Sequence, residues 1–438
     1  MPDAVTSLLA EIADTGVDNQ RGGYTRPVYS TAELDLRSWF VAHAAKRGLD
    51  VETDRNGIIW AWSGGVGDDA VVTGSHLDSV PGGGAYDGPL GVASALVAFD
   101  LLAARGVGGR RAIAVFPEEE GSRFGVACLG SRLLTGAIDP DRARSLSDSS
   151  GTTFAEASRC AGIDPAHLGP DPETLGRIGT FVELHVEQGR GLVDLGRPVA
   201  VASSILGHGR WRLSFTGEGN HAGTTLMTDR ADPMVAAAQL ITAVQTQARA
   251  ISGARATVGR IVPVPGGTNV IASRVDLWLD VRHPEDAVTK FLVHEIAEAA
   301  NAVAAGEGCG VTMTEESFSA TVDFDSQLRD RLSTALDDAP VLGTGAGHDA
   351  GVLKDHVSTA MLFVRNPTGV SHAPSEAVED ADAEAGSVAL ADSLQHLVEI
   401  QSAGADSNAR RLLTVDVDAL RLTGGERRNA TSQCGHHP

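Results

Sequence analysis

Cysteine is scarce in this sequence. Cys128, Cys160, Cys309 and Cys434 are all that 438 residues contain, and no two stand at pair spacing. That excludes a disulfide framework and a cysteine-type zinc knuckle. Aromatics make up only 4%. Positive charge is short as well: 35 Lys and Arg against 57 Asp and Glu leave a formal net charge of −22. Such a surface repels phosphate backbones and anionic lipid, which argues against nucleic-acid and membrane-surface partners. No apolar run approaches the roughly 18 residues that span a bilayer. Residues 1–19 hold no Lys or Arg and no apolar signal core, so a cytoplasmic location is expected. Glycine, at 51 residues, is plentiful and points to many tight turns.

The length suggests about two or three domains. Ser30 with Glu33 reads as a capping box opening a helix that Gly48 closes. Strand-like runs at Ile58–Trp62, Ala70–Thr73, Ala112–Phe116 and Thr180–Val186 alternate with a helix over Pro89–Leu102. That alternation indicates an α/β fold with a doubly wound, mostly parallel sheet. From about residue 209 the texture changes. Arg210–Thr216, Thr257–Val264, Arg274–Arg282 and Val311–Phe318 read as strands, with helices over Pro233–Ile251 and Pro284–Ala305. The order β-α-β-β-α-β is that of a ferredoxin-like α+β unit. Helix, buried strand and helix then resume at Leu328–Leu336, Thr359–Val364 and Glu379–Ile400. The expected organisation is a discontinuous domain, 1–208 and 321–402, an inserted unit, 209–320, and a loosely ordered tail, 403–438.

Four blocks carry chemistry. In the first, His76 and Asp78 are two apart, so in extended chain a carboxylate can orient an imidazole that binds metal. Asp87, past Pro81 and three glycines, sits at the mouth of the next helix, where a carboxylate can bridge two cations. In the second, Glu118, Glu119 and Glu120 follow directly on a buried strand. Crowded carboxylates there call for a cation or proton between them. One of the first two can ligate while the other acts as base, and Glu120 reads as a solvated turn residue. In the third, Glu183, His185 and Glu187 alternate with apolar residues along one strand face, and Gln188 follows. The fourth holds Ser371, His372 and Glu376 in a loop. Nitrogen and oxygen ligands without sulfur suit Zn²⁺, Mn²⁺, Co²⁺ or Ni²⁺. Two cations roughly 3.5 Å apart fit a carboxylate-bridged hydrolytic pair. In the inserted unit, His221 sits in a small-residue turn where it could stabilise an oxyanion. Asn269 precedes a strand on which Asp276, Trp278, Asp280 and Arg282 face one way, and Arg282 could clamp a carboxylate. His348 lies in a glycine-rich loop.

These motifs, GSHLDSVPGGGAYDG, FPEEEGSRF, ELHVEQG, GNHAGTTLM, GGTNVI, GAGHDA and SHAPSE, occur in an order and spacing that resembles the M20-type metallopeptidase superfamily. The resemblance covers roughly residues 5–400. His185, where many peptidase relatives carry an acid, points to the branch of N-carbamoyl-L-amino acid hydrolases, allantoate amidohydrolases and β-ureidopropionases. The resemblance implies two divalent metal ions, most simply zinc or manganese. Asp87 would bridge them, His76 and His185 completing one site, Glu119 and His372 the other. Glu118 would be the general base and Asp78 would orient His76. Gln188, Asn269, Arg282 and His348 would hold a small carboxylate-bearing ureido substrate. His221 would reach the active site from the lid of a homodimer partner. The implied activity is hydrolysis of a carbamoyl C–N bond by metal-activated water. Allantoate, or an N-formyl or N-formimino amino acid, is the alternative substrate, and an inactive dimeric binding protein the alternative class.

Overall fold

The computed structural model describes residues 4–65 and 67–423, with side chains as far as residue 402. In chain order the strands are β1 (Asp50–Thr53), β2 (Ile59–Ser63), β3 (Ala70–His76), β4 (Arg111–Phe116), β5 (Ile178–Val186), β6 (Val199–Ile205), β7 (Gly207–Thr216), β8 (Asn220–His221), β9 (Arg255–Val264), β10 (Val270–Ile271), β11 (Arg274–His283), β12 (Gly310–Ser319), β13 (Val322–Asp323), β14 (Val341–Thr344) and β15 (Ser358–Val364). The larger sheet has the order β1-β2-β4-β3-β5-β15-β6-β13, with β14 also on β6. Its centre, β4-β3-β5-β15, is parallel throughout. The flanking strands β2 and β6 run against it.

The parallel centre forms because its strands are apolar on both faces. β3 and β4 are buried at every residue. Val71, Ile113, Val182 and Leu362 feed one core, while Val72, Ala112, Phe181 and Met361 feed the other. A sheet covered on both sides reads as continuous hydrophobic runs. The helix Pro89–Ala104 covers one face, with Leu96 and Leu102 fully buried. Each such side chain contributes roughly 1.5–3 kcal/mol of burial. The parallel strands put their carboxyl ends on one edge, and that edge carries the chemistry.

The chain leaves this sheet after Ile205 and returns to it at Val322. Between them lies a four-stranded antiparallel sheet of order β12-β7-β11-β9. Helices Pro233–Arg249 and Asp286–Gly306 pack on one face of it. Strict alternation builds that core: Leu213 and Phe215 of β7 and Val275, Leu277, Leu279 and Val281 of β11 point inward. Asp276, Trp278, Asp280 and Arg282 take the other face.

The cap at Ser30 differs from the expected box in one arm. Ser30 Oγ accepts from Glu33 N at 3.3 Å, but the Glu33 carboxylate turns back to Tyr29 N and to Arg37. Strands β1, β6 and β14 and the short helices over residues 129–176 are additions to the expected plan. The last helix, Asp380–Thr423, continues into the expected tail. Residues 424–438 of that tail lie outside the described residues. Among the described residues no helix is long and apolar enough to cross a membrane.

Candidate metal centre

Four strand ends converge. His76 closes β3, the acidic triplet follows β4, His185 lies near the end of β5, and His372 follows β15. Asp87 reaches them from the turn before the helix Pro89–Ala104. Gly88 makes the approach possible. It has φ +89, and a Cβ there would stand 2.6 Å from the His76 ring.

Asp87 divides its two oxygens between two histidine clusters. Oδ1 lies 3.2 Å from His185 Nε2 and 3.7 Å from His76 Nε2. Oδ2 lies 3.5 Å from His372 Nε2, which is 3.2 Å from Glu120 Oε2. The two groups His76–Asp87–His185 and Asp87–Glu120–His372 each bring three ligand atoms together. Both imidazoles of the first group are oriented from behind. His76 Nδ1 donates to the Asp78 carbonyl at 3.0 Å and His185 Nδ1 to the Val186 carbonyl at 3.1 Å. A carbonyl only accepts, so each Nε2 turns a lone pair inward, and the two stand 3.4 Å apart. Something positive belongs between them. Burial opposes charge on His185, yet Asp87 beside it raises its pKa to about 9, so without a cation a proton takes that place. Burial holds His76 below the usual range. Asp87 is itself pushed up by burial but held down overall by His185 and His76. Glu120, burial notwithstanding, raises His372 to about 9.

The surrounding acids make the same demand. Asp78, Glu118, Glu119, Glu183, Asp349 and Glu376 are buried, and among the described residues none forms an ion pair with Lys or Arg. Burial raises Glu119 well above the carboxylate range, with Asp349 and Glu120 adding to it. The acids and inward-facing imidazoles fit hard or borderline divalent cations; the buried Cys128 thiol lies beside them, 3.8 Å from Glu119 Oε1, but belongs to neither group of ligand atoms.

Several expected placements change. The structure sets Glu120, not Glu119, against His372. Glu119 instead lies 3.6 Å from His76 Nε2 through Oε2 and 3.6 Å from His348 Nδ1 through Oε1. Glu118, expected as the base, forms no ion pair with the histidines among the described residues. Its Oε1 accepts from Arg123 N at 3.1 Å and Phe124 N at 2.5 Å, and burial raises it to about 7. Asp78 orients His76 mainly through its main-chain carbonyl. Its carboxylate, 3.7 Å from the ring, accepts from Glu119 N and Glu120 N at 3.2 Å each and so holds the acidic turn.

Gln188 is brought in, donating to Asp87 Oδ2 at 3.1 Å and to Ser371 Oγ at 2.9 Å. Among the described residues its buried Oε1 has no partner. His348 is buried against His185, ring centroids 4.4 Å apart. Arg282 is already engaged: Asp280 takes Nε and Nη2 at 2.7 and 2.9 Å, and the Gly345 carbonyl takes Nη1. His221 and Asn269 are exposed, on or beside the small β8–β10 ladder, and no hydrogen bond or ion pair joins them to the centre among the described residues. Glu187 accepts from Gly191 N and Leu192 N, so it caps a short helix.

Two residues of the fourth block, named in sequence without a role, acquire one here. Ser371 donates to Asp87 Oδ2 at 3.2 Å. Glu376 Oε1 accepts from Tyr86 N and Asp87 N, both at 3.0 Å, and so fixes the bridging residue's backbone. Both lie in the His372 loop, whose motif was the available signal.

The chain as a whole is similar to known proteins. Residues 72–396 match the family model described as peptidase family M20/M25/M40. An N-carbamoyl-L-amino acid amidohydrolase of Geobacillus stearothermophilus is 35% identical over 87% of this chain and 95% of its own length. An allantoate amidohydrolase of Escherichia coli K12 is 31% identical over 89% and 96%. A solved amidase of the hydantoinase/carbamoylase family from Burkholderia vietnamiensis superposes with TM-score 0.82 at 29% identity, over 90% of this chain and 96% of that one. The chain therefore belongs to the M20/M25/M40 peptidase family. Its similar proteins are amidohydrolases within it.

Proposed function

We propose that this chain hydrolyses the carbamoyl C–N bond of a small carboxylic acid, an N-carbamoyl-L-amino acid or an allantoate-like ureido compound. The observation that carries the reading is Asp87, with one oxygen toward His76 and His185 and the other toward His372 and Glu120. Those five residues would hold a pair of divalent cations, zinc or manganese first, cobalt or nickel also suited. Bound there, the cations would supply positive charge to polarise a carbonyl and to acidify water to a pKa of roughly 7.

The chain's own residues do the rest. Glu119 stands beside His76, placed to take a proton from the attacking water on Oε2 and deliver it to the leaving nitrogen. Asp78 keeps the Glu119–Glu120 turn in place from behind. Gln188, tied down through its amide nitrogen, keeps Oε1 free to accept a substrate N–H. Arg282 would receive the carboxylate, exchanging Asp280 for it. Asn269 would assist on the same side.

On this reading residues 1–208 and 321–402 are the catalytic domain and 209–320 a lid and dimerisation domain. His221 would act in the partner's site of a homodimer. Its exposure and lack of contact with its own centre support that arrangement. The free thiols Cys128, Cys160 and Cys309 support a reducing, cytoplasmic setting.

The test is a turnover panel on metal-loaded protein: N-carbamoyl-L-amino acids, allantoate, β-ureidopropionate and N-formyl-glutamate, read as ammonia or free amine. Ammonia from allantoate alone would select the allantoate activity. No turnover of any panel member would defeat the reading.

A further inference from the structure

Arg111 is a buried cation with no anion paired to it among the described residues. It opens β4, whose far end leads into the acidic triplet, so it stands at the sheet edge opposite the metal centre, roughly 16 Å of strand away. The residue is 7% exposed, and among the described residues its Nε and Nη1 are buried with no hydrogen-bond partner. Its guanidinium lies over the Phe99 ring, Cζ 5.6 Å from the centroid. A ring attracts a cation through its face and leaves the N–H edges of a guanidinium unserved. Arg37, buried to the same degree, makes the contrast: Glu33 pairs with it and holds its pKa up against burial. For Arg111 burial lowers the pKa and no acid opposes the shift. A buried charge left uncompensated is strongly destabilising, so its retention asks for a counterion.

The fold leads this side chain toward a surface depression. Arg111, Ile113 and Val115 share one face of β4, and the last two feed the core that contains Phe99 and Val398. A Cβ on Gly109, two residues earlier, would stand 2.7 Å from Val398 Cγ1, so the chain enters β4 directly beneath the last helix. Gly109 and Val398 line a depression of about 690 Å³, with Arg110, Asp69, Gln401 and Ser402 around it. Two adjacent arginines against one acid make this spot locally positive on a chain whose formal net charge is −22. Arginine presents paired N–H groups that match two oxygens of a single anion.

We propose that Arg111, with Arg110 at the rim, forms a binding site for a phosphate group, remote from the metal centre. The paired N–H groups of Arg111 would take two oxygens, and Arg110 would meet the second negative charge. The volume admits a small phosphomonoester as well as the free ion. The site stands independently of the hydrolase reading, since none of its residues belongs to the metal centre.

The test is calorimetric titration of the metal-loaded wild type, Arg111→Met and Arg111→Lys with inorganic phosphate and with glycerol 3-phosphate, against chloride at matched ionic strength. Metal ions bind phosphate in their own right, so the readout is the binding that disappears with Arg111 while metal content stays the same. Arg111→Met should weaken that binding about 100-fold or more. Arg111→Lys keeps the charge but not the paired N–H groups, and should weaken it about tenfold. It also supplies the comparison should the methionine variant fail to fold. Phosphate should raise the melting temperature of the wild type by more than that of either variant. Tighter binding of glycerol 3-phosphate would assign the site to a phosphorylated metabolite, and tighter binding of inorganic phosphate to the free ion. Phosphate binding equal in the wild type and the variants, or a chloride response of the same size, would overturn the assignment.

Discussion

Glu120 Oε2 stands 3.2 Å from His372 Nε2, while Glu119, one residue earlier, faces His76 and His348. The three acids after β4 therefore separate into three jobs. Glu119→Gln should keep its metal and lose about 100-fold or more in kcat, the span of a missing general base. Glu120→Gln should lose about half the bound metal. Glu118→Gln should retain metal and turnover within about tenfold but unfold more easily, since Glu118 Oε1 holds two backbone N–H groups. Elemental analysis, steady-state kinetics and thermal unfolding check all three. A Glu118→Gln enzyme that keeps its metal and is dead, beside an active Glu119→Gln, would reverse the assignment.

How much of this was legible beforehand depended on backbone geometry. The buried runs of β3, β4, β5 and β15 announced themselves because apolar residues without alternation mean a sheet covered on both faces. The strictly alternating β11 was equally plain. β1 and β14 were not, being four residues each, with β1 mostly exposed and β14 half so. The shift within the acidic triplet has a local cause. Glu118 has φ +55, a left-handed conformation uncommon for a side chain of this kind. It swings the chain so that the second and third acids, not the first, enter the centre. No periodicity reports a single positive φ. Asp78 reaches His76 by its backbone for a related reason: β3 ends at His76, so the strand alternation assumed for the pair does not extend to Asp78.

Because Asp87 serves both clusters, its loss should empty both. Wild-type protein stripped by chelator should regain several degrees of melting temperature on adding Zn²⁺ or Mn²⁺. Ligand at about 100 times its Kd stabilises a fold by about 2.7 kcal/mol. Asp87→Ala should show little of this shift, and elemental analysis should find it nearly metal-free. An Asp87→Ala protein stabilised as much as the wild type would mean that the ions bind elsewhere.

Arg282 is held by Asp280 on two nitrogens and by the Gly345 carbonyl on the third. A substrate carboxylate would take over the bidentate face. Arg282→Ala should then raise KM by the equivalent of about 2–4 kcal/mol, with kcat less affected. Arg282→Lys should not restore it, since an ammonium cannot present the two-pronged geometry. A substrate analogue without its carboxylate is the control: the variant and the wild type should handle it alike. If Arg282→Ala penalises that analogue equally, the residue serves the architecture between the two sheets and not the carboxylate.

Asp54 offers a pH test away from the centre. Its Oδ1 accepts from Asn56 N at 2.8 Å and Ile58 N at 3.0 Å, and its Oδ2 from Trp60 Nε1 at 3.0 Å. Burial nevertheless raises its pKa from 3.8 to about 6. The folded state then binds this proton more tightly than the unfolded chain does. The stability so gained is fully present below 3.8 and is lost as the pH rises through about 6. The difference corresponds to at most about 3 kcal/mol. Denaturant unfolding of metal-stripped wild type and Asp54→Asn should therefore show the wild type's relative stability falling between about pH 4 and pH 7. A difference that stays constant, or grows toward neutral pH, would mean that the hydrogen bonds to Asp54 outweigh its burial.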